Sequence, residues 1–337
     1  MRIEKKYNIK SLNTFAIDTI AEEVMFLEQK EDFADASKLI ANSDVNHLIL
    51  GGGSNILFTK DFNGILISIE NKGIKIVEDG EYFALVSFSA GENWHNSVEY
   101  CVHNGYYGLE NLALIPGKIG AAPVQNIGAY GIEQCDFLHS VKAFFDGEEF
   151  EFLAEDLKFG YRNSIFKDEK YKKYIIYEVT YKLHKDKEKI NTSYKDIREF
   201  IQKKDIIKPQ PIDIFHAIIN IRQAKLPDPA IIGNAGSFFK NPVYDAHLVS
   251  KLQIKYPDMP VYSVDDHHSK ISAAYLIDKA GFKGFRKNDA GVFNKHALIL
   301  CNFGNASGKE IFNLSEEIIH KVREIFGVTL EREVILV

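Results

Sequence analysis

The segment from Gly108 to Gly131 constrains the fold of this chain more than any other part of its sequence. It reads GLENLALIPGKIGAAPVQNIGAYG, with five glycines and two prolines among small and amide side chains. Proline removes a backbone donor and glycine weakens regular structure, so a long helix and a central strand are both excluded here. Two interpretations of the segment remain: a long loop with only a structural role, and a rigid loop that packs against a flat ligand. Ordered loops beyond about 12 residues are uncommon without a function, which favours the ligand.

An earlier glycine run, Gly51-Gly52-Gly53, follows the strand-like HLIL and precedes the apolar Ile56-Leu57-Phe58. Three glycines permit positive φ and leave backbone N–H groups open to an anion such as a phosphate. The dinucleotide-binding G-x-G-x-x-G motif opens a helix, whereas this run returns to a strand, so a doubly wound fold is disfavoured. Taken alone, the run is more typical of a tight turn between strands.

Length and composition bound the class of protein. At 337 residues and 45% hydrophobic, the chain is expected to form two or three packed units. The net charge of -6 is spread along the sequence, which argues against nucleic acid or an acidic membrane as the partner. Cys101, Cys135 and Cys301 lack metal-like spacing, so we expect reduced thiols and no metal site. No apolar run approaches the roughly 20 residues of a membrane span, and no signal peptide is evident, so we expect a cytoplasmic protein.

Hydrophobic periodicity indicates an α+β architecture. Before His184 the chain reads as short strands with two helices, one after Lys30 and one from Trp94. A charged excursion fills residues 184–206. We therefore expect a first domain over residues 1–206.

The C-terminal part, residues 207–337, reads as a smaller α+β domain. Helices are predicted from Pro211, over SKISAAYLIDKAGF up to Gly281, and after Ser307, which forms a capping box with Glu310. A strand, VTLEREVILV, is predicted to close the chain.

Five motifs in the order GGGSNILF, ENLALIPGKIGAAPVQNIGAYG, FGYRNSIFK, KLPDP and NAGSFFKNP resemble the type I UDP-N-acetylenolpyruvoylglucosamine reductase family. The resemblance implies a two-subdomain FAD-binding domain of the vanillyl-alcohol-oxidase (PCMH) type, followed by a smaller α+β substrate domain. It implies NADPH-dependent reduction of UDP-N-acetylglucosamine enolpyruvate to UDP-N-acetylmuramate in peptidoglycan precursor synthesis. The glycine loops contain no histidine to attach a flavin, so we expect non-covalent FAD.

The resemblance also implies that two stretches wrap the FAD. Their predicted cofactor residues are Gly51, Gly52, Gly53, Ser54, Asn55, Asn111, Ile115, Pro116, Gly117, Gly120, Ala121, Pro123, Gln125, Asn126, Gly128, Ala129 and Tyr130. From the residues alone, the amides of Gln125 and Asn126 suit the edge of a heterocycle. Lys118 stands where the family pattern leads us to expect an uncharged residue.

Reducing an enolpyruvyl ether requires a hydride donor, a stabiliser of negative charge and an acid. The resemblance implies hydride delivery from reduced flavin to the enolpyruvyl C3 and protonation at C2 by Ser237. Lys225 is a candidate to stabilise the alkoxide that the serine would become. The resemblance further implies that Arg162 and Glu333 are catalytic and hold the substrate carboxylate.

Each catalytic residue has a simpler interpretation from sequence alone. Ser237 would be a turn or helix-capping serine. Arg162 would pair with an acid such as Asp168 on the surface. Glu333 would face solvent on an edge strand.

Four more residues are implied contacts of the sugar nucleotide: Tyr194, Arg222, Lys225 and Asn241. Each alone is equally typical of solvated surface. We expect a monomer whose partners are UDP-N-acetylglucosamine enolpyruvate and NADPH, without nucleic acid or membrane. The alternatives are another FAD-dependent sugar or alcohol oxidoreductase of the same superfamily and a non-catalytic nucleotide-sugar binding protein.

Overall fold

The computed structural model describes all residues from Met1 to Val337. They form two compact units. The first contains residues 1–7, 21–52 and 63–224, and the second contains residues 8–20, 53–62 and 225–337.

This division differs from a single boundary near residue 207. Helix Pro211–Lys225 falls almost wholly in the first unit, because Ile214, Phe215 and Ile218 are buried in that unit's core. Two early segments join the second unit through long-range contacts that periodicity does not report.

The α-helices are α1 (Lys30–Ala41), α2 (Trp94–His103), α3 (Ala122–Gln125), α4 (Lys195–Lys203), α5 (Pro211–Lys225), α6 (Ala246–Lys255), α7 (Ala273–Lys279) and α8 (Gly308–Phe326). The strands are β1 (Arg2–Asn8), β2 (Ile20–Leu27), β3 (His47–Leu50), β4 (Ile56–Leu57), β5 (Phe62–Ile69), β6 (Ile74–Asp79), β7 (Phe83–Ser89), β8 (Gly128–Ala129), β9 (Ile132–Glu133), β10 (Leu138–Phe145), β11 (Glu148–Leu153), β12 (Ile175–His184), β13 (Gly233–Ser237), β14 (Val243–Asp245), β15 (Val261–Ser263), β16 (His268–Ile271), β17 (Arg286–Lys287), β18 (Ala290–Val292), β19 (Ile299–Asn302) and β20 (Ile335–Leu336). This mixed content confirms the α+β prediction.

The first unit is built on two larger sheets. One has the order β1-β2-β5-β3, with β3 parallel to β5, and the other has the order β11-β10-β12-β7-β6, with antiparallel pairs. Trp94 at the start of α2 is buried edge-on against Tyr181 of β12, and its indole N–H donates to the Leu112 carbonyl oxygen at 2.8 Å. The core thereby holds the beginning of the glycine-rich segment in place.

The second unit contains the sheet β13-β19-β18-β17, the sheet β14-β16-β15 and the parallel pair of β20 with β4. Helix α8 packs on β18 and β19. The predicted capping box is confirmed: the Ser307 hydroxyl accepts from the Glu310 amide, and the Glu310 carboxylate accepts from the Ser307 amide. The helix ends at Gly327, whose φ of 70° suits glycine.

Two predicted elements are wrong in their bounds. The segment SKISAAYLIDKAGF was predicted as one helix, but α7 begins only at Ala273, because the Ser272 hydroxyl accepts from the Tyr275 amide. The residues before Ser272 form β16, which pairs with β14 and β15.

The terminal strand is the second correction. Only Ile335–Leu336 of VTLEREVILV is regular strand, because the backbone changes partner along its length. The Glu333 amide donates to the Phe238 carbonyl oxygen at 2.9 Å, and the chain then turns to pair with β4. Buried and exposed side chains nevertheless alternate in part of this segment: Leu330 and Val334 are buried, while Glu331 is exposed.

The three thiols are predicted to react slowly. Cys101 and Cys301 are buried, and burial raises the pKa of the half-buried Cys135 to about 11. We expect native Cys135 to be alkylated by iodoacetamide about 100-fold more slowly at pH 8 than an unhindered thiol, because the thiolate is the nucleophile. Peptide mass spectrometry of labelled native protein measures this. Labelling of Cys135 as fast as in urea-unfolded protein would contradict it.

No helix of the structure is long and apolar enough to cross a membrane. No three His, Cys, Asp or Glu side chains among residues 1–337 are grouped so that they could hold a metal ion.

Candidate functional site

Two glycine-rich loops are in close contact in the first unit. The first glycine loop is the run that begins at Gly51, and the second glycine loop is the segment from Gly108 to Gly131. A Cβ atom on Gly52 would lie 2.8 Å from the Gly117 Cα, and one on Gly51 would lie 2.9 Å from the Ala121 Cβ. Real Cβ contacts are essentially never that short, so these glycines are required for the close approach. The interpretation of Gly51-Gly52-Gly53 as only a turn does not account for this contact.

The second glycine loop is also fixed from its other side. The Ile119 amide donates to the Glu92 carbonyl oxygen at 2.9 Å, and the Gly120 amide donates to the Ala90 carbonyl oxygen at 2.8 Å. A Cβ on Gly120 would lie 2.6 Å from the Ala90 Cβ. The loop is therefore held by the strand-to-helix connection before α2.

This backbone surface fits the pyrophosphate of a dinucleotide such as FAD. Exposed backbone N–H groups in glycine-rich loops bind anions, and glycines let the ligand approach the chain directly. Predicted cofactor residues Gly51, Gly52 and those from Asn111 to Tyr130 lie in the first unit, whereas Gly53, Ser54 and Asn55 lie in the second.

As the sequence predicts, the segment from Gly108 to Gly131 contains no long helix. It consists of short turns, the four-residue α3 and the hairpin of β8 and β9. Asn126, which ends α3, has a left-handed φ of 46° and is fully buried.

The side-chain amide of Asn126, predicted to bind the edge of a heterocycle, instead forms hydrogen bonds within the protein. Its Nδ2 donates to Glu133 Oε2 at 2.8 Å and its Oδ1 accepts from Gln134 Nε2 at 3.3 Å. These bonds hold the loop itself, so hydrogen bonds to a heterocycle edge fit the half-buried Gln125 better.

Lys118, the departure from the family pattern, turns away from the glycine contact. Its ammonium group lies 3.0 Å from Glu70 Oε1 and donates to the Ile69 carbonyl oxygen at 2.6 Å. Burial lowers the pKa of Lys118, while the Glu70 carboxylate opposes that effect. The extra charge is thus neutralised inside the unit.

Arg162 lies beside the hairpin of the second glycine loop. Its Nη2 donates to the Gly128 carbonyl oxygen at 2.7 Å, and its Nη1 lies 3.7 Å from Glu133 Oε1. Its backbone φ is 54°, which is rare outside glycine and typical of functional sites. The ion pair that the structure shows is therefore with Glu133, not the surface pair with Asp168 considered from sequence.

Three predicted ligand residues meet at one place in the first unit. The Tyr194 ring, 44% exposed at the start of α4, packs edge-on against the Tyr130 ring with centroids 5.0 Å apart. Tyr130 hydrogen-bonds Arg222, whose Nε is shielded from solvent and has no hydrogen-bonding partner. Burial lowers the pKa of Arg222, and Tyr130 opposes this effect.

Asn111 ties the Tyr194 segment to the cofactor loop. Its Nδ2 donates to the carbonyl oxygens of Tyr130 at 3.2 Å and Asn191 at 3.0 Å, while its buried Oδ1 has no partner. Asn191 in turn donates to the Gly131 carbonyl oxygen at 3.2 Å. The charged excursion over residues 184–206 is therefore docked on the second glycine loop through Asn191.

His95 is a site neighbour that sequence reasoning missed. Its ring stacks on Phe215 with centroids 5.6 Å apart, and its Nδ1 accepts from the Leu114 amide at 3.1 Å. Leu114 has a φ of 59°, so this bond stabilises an unusual backbone conformation within the cofactor loop. Burial lowers the pKa of His95; the Glu99 carboxylate opposes this effect, and the Arg222 charge adds to it.

Stability is expected to fall as the pH drops below about 6.5, the unperturbed histidine value. Burial lowers the pKa of His95, His184 and His296, so the unfolded chain binds more protons than the folded one in this range. The stabilisation is complete above the unfolded pKa and is lost as the pH falls through the lowered folded values. Melting temperatures between pH 7.5 and 5.5 measure this, and His95→Gln should reduce the decline. A melting temperature that rises on acidification would contradict the assignment.

In the second unit, Ser237 ends β13 beside a glycine. Gly236 has a φ of 67°, Ser237 is half-buried, and the two residues that follow it, Phe238 and Phe239, are buried. Ser237 is therefore a strand residue, paired in register with Ile299, and does not cap a helix.

Glu333 lies on the terminal segment of the chain, next to Ser237. Its backbone amide bonds Phe238, and its carbonyl oxygen accepts from Asn55 Nδ2 at 3.2 Å. Glu333 is half-buried, whereas Glu331 is exposed and pairs with Lys240. The second unit thus brings two predicted catalytic residues and the predicted cofactor residue Asn55 into one neighbourhood.

A further contact in this unit had no sequence signal. The Thr14 hydroxyl donates to the Asn234 carbonyl oxygen at 2.6 Å, and the Thr14 amide donates to the Gly53 carbonyl oxygen at 3.1 Å. Thr14 thereby joins the first glycine run to the strand that carries Ser237.

The remaining predicted substrate residues have identifiable positions. Asn241 Oδ1 accepts from the Ala273 amide at 2.9 Å, which stabilises the start of α7. Lys225 is exposed at the end of α5, and its charge contributes to lowering the pKa of His296.

Comparison with known families identifies both parts of the chain. The model described as "UDP-N-acetylenolpyruvoylglucosamine reductase, C-terminal domain" matches residues 228–337. The model described as "FAD binding domain" matches residues 21–151.

The chain is similar to curated proteins over its whole length. The UDP-N-acetylenolpyruvoylglucosamine reductase of Flavobacterium johnsoniae is 44% identical over 336 residues, which is 99% of each chain. That of Amoebophilus asiaticus is 42% identical over 343 residues, again 99% of each chain. The crystal structure of the Thermus caldophilus reductase, 24% identical, superimposes with a TM-score of 0.67 over 100% of this chain and 99% of that one. The fold is therefore shared with that structure.

Proposed function

The chain belongs to the UDP-N-acetylenolpyruvoylglucosamine reductase family of FAD-dependent oxidoreductases, and on this premise we propose that it reduces UDP-N-acetylglucosamine enolpyruvate with NADPH. The product would be UDP-N-acetylmuramate, a precursor of peptidoglycan made in the cytoplasm. The observation that carries the proposal is the likeness over 99% of both chains, which includes the FAD-binding and the C-terminal regions together.

The glycine loops and their neighbours would hold FAD. Gly51 and Gly52 allow the two loops to approach each other, and backbone N–H groups of these loops would bind the pyrophosphate. Gln125 would meet the heterocycle edge. When bound and reduced by NADPH, the flavin would supply the hydride that the double bond requires.

Arg162 would hold the substrate carboxylate. Its planar guanidinium matches a carboxylate in two parallel hydrogen bonds, and the charge stabilises the negative charge that develops when the double bond is reduced. Glu333 would orient this carboxylate together with Arg162.

Ser237 would donate its hydroxyl proton to C2 of the substrate. A serine is a weak acid in water, so the reaction needs a nearby cation to stabilise the alkoxide, and Lys225 is the candidate for that group. Arg222, Tyr194 and Asn241 would contact the sugar nucleotide.

The proposal is tested by product analysis. Purified protein should carry non-covalent FAD and, without oxygen, should consume more than one NADPH per FAD only when UDP-N-acetylglucosamine enolpyruvate is present, with UDP-N-acetylmuramate identified by mass. Consumption of NADPH without that product would favour another FAD-dependent oxidoreductase. Protein without flavin would favour a nucleotide-sugar binding protein.

A further inference from the structure

Arg162 contacts two residues of the hairpin formed by β8 and β9, and also Asn126, which ends α3 just before it. Its Nη2 donates to the Gly128 carbonyl oxygen at 2.7 Å and its Nη1 donates to the Asn126 carbonyl oxygen at 3.3 Å. Glu133 Oε1 lies 3.7 Å from Nη1, which is too long for a hydrogen bond and short enough for an ion pair. The two carbonyl oxygens fix the orientation of the guanidinium, and the Glu133 carboxylate places a negative charge beside it.

Glu133 is itself fixed in place. Its Oε2 accepts from Asn126 Nδ2 at 2.8 Å, and its backbone pairs with Gly128 across the hairpin. Its amide donates to Asp136 Oδ2 at 2.9 Å. The carboxylate therefore reaches Arg162 from a defined position.

The network continues into the core of the first unit. Gln134 Nε2 donates to Asn126 Oδ1, and Gln134 Oε1 accepts from the Tyr181 hydroxyl at 3.1 Å. Asn126, Gln134 and Tyr181 are all fully buried. A satisfied buried network of this kind rigidifies the groups it joins.

Gly128 supplies an independent observation. A Cβ at this position would lie 2.8 Å from the Glu133 Cγ and 3.2 Å from Arg162 Nη1. The glycine is thus needed where the side chains of Glu133 and Arg162 converge. Because Gly128 has no side chain, the side chains of Glu133 and Arg162 can approach each other there.

We propose that Glu133 is a positioning residue for Arg162: it orients the guanidinium toward the substrate carboxylate without contacting substrate. The proposal rests on the proposed function of Arg162. Replacing Glu133 with glutamine removes the charge and leaves an amide oxygen of similar shape.

The test is a double-mutant cycle on the full-length FAD-loaded enzyme. Enzyme reduced with NADPH under anaerobic conditions is mixed with UDP-N-acetylglucosamine enolpyruvate, and flavin oxidation is followed. We expect Glu133→Gln to slow flavin oxidation about tenfold in the wild-type background. In an Arg162→Ala background the same substitution should change the rate of flavin oxidation by less than about twofold, because the effects of two coupled residues are not additive. The same cycle is applied to the substrate Kd measured by calorimetry, with the same non-additivity expected.

Two controls separate positioning from general damage. Flavin reduction by NADPH, FAD content and melting temperature should be unchanged in Glu133→Gln. Glu178→Gln, which removes another half-buried ion pair of the first unit, with Lys142, should leave the oxidation step unchanged.

Full additivity of Glu133→Gln and Arg162→Ala overturns the proposal and leaves the proposed function intact. Equal slowing of both half-reactions by Glu133→Gln overturns it as well. If Arg162→Ala alone leaves flavin oxidation by substrate unchanged, the proposed role of Arg162 fails, and the role of Glu133 is overturned with it.

Discussion

Ser237→Ala is expected to slow reduction of the enolpyruvyl substrate by about 100- to 10,000-fold, the usual contribution of a general acid. Alanine keeps the strand and removes only the hydroxyl that would protonate C2. Because Ser237 is half-buried between Gly236 and two buried phenylalanines, solvent is a poor replacement for that proton donor. Stopped-flow oxidation of reduced flavin by substrate measures the effect.

Flavin reduction by NADPH should be unchanged in Ser237→Ala, since that half-reaction needs no acid at C2. Ser250→Ala is the matched control: this serine is exposed on α6 in the same unit and bonds only the backbone of its own helix. Normal turnover by Ser237→Ala would remove the serine from the mechanism.

Gly52→Ala is expected to weaken FAD binding by about 10- to 100-fold, equivalent to the 1 to 3 kcal/mol typical of overpacking. The new Cβ would meet the Gly117 Cα at 2.8 Å, and neither atom belongs to a flexible side chain. The two loops must separate, and the anion-binding backbone groups then no longer face one ligand. Titration of the deflavinated protein with FAD measures the change.

Gly160→Ala provides the control for Gly52→Ala. A Cβ there would meet only the Asn163 Cβ, at an ordinary 3.9 Å. Its FAD affinity should equal that of the wild type. Equal affinity in Gly52→Ala would show that the close contact of the loops is not needed for the cofactor.

Local features of the fold could be predicted from the sequence because local rules determine them. The glycines of the second loop exclude long helices, the Ser307 and Glu310 pair begins α8, and the apolar stripe of α8 is buried as its spacing indicates. The motifs also predicted the family correctly.

Long-range pairings could not be predicted in the same way. The early segments 8–20 and 53–62 join the second unit through contacts such as that of Thr14 with Asn234, 220 residues apart. The terminal segment changes its backbone partner after Glu333, which no alternation pattern reports.

The candidate site was predicted residue by residue, but its internal connections were not. The hydrogen bonds of Asn126 and the pairing of Arg162 with Glu133 join positions that are close only in the folded chain. Charge type alone suggested Asp168 as a partner of Arg162. Hairpin geometry is what brings Glu133 to it instead.

The most direct test of the central claim is a single-turnover measurement. Enzyme reduced by NADPH without oxygen is mixed with UDP-N-acetylglucosamine enolpyruvate, and flavin absorbance and product are followed together. We predict rapid reoxidation of the flavin with one UDP-N-acetylmuramate formed per FAD. Flavin that stays reduced in the presence of this substrate would contradict the assignment.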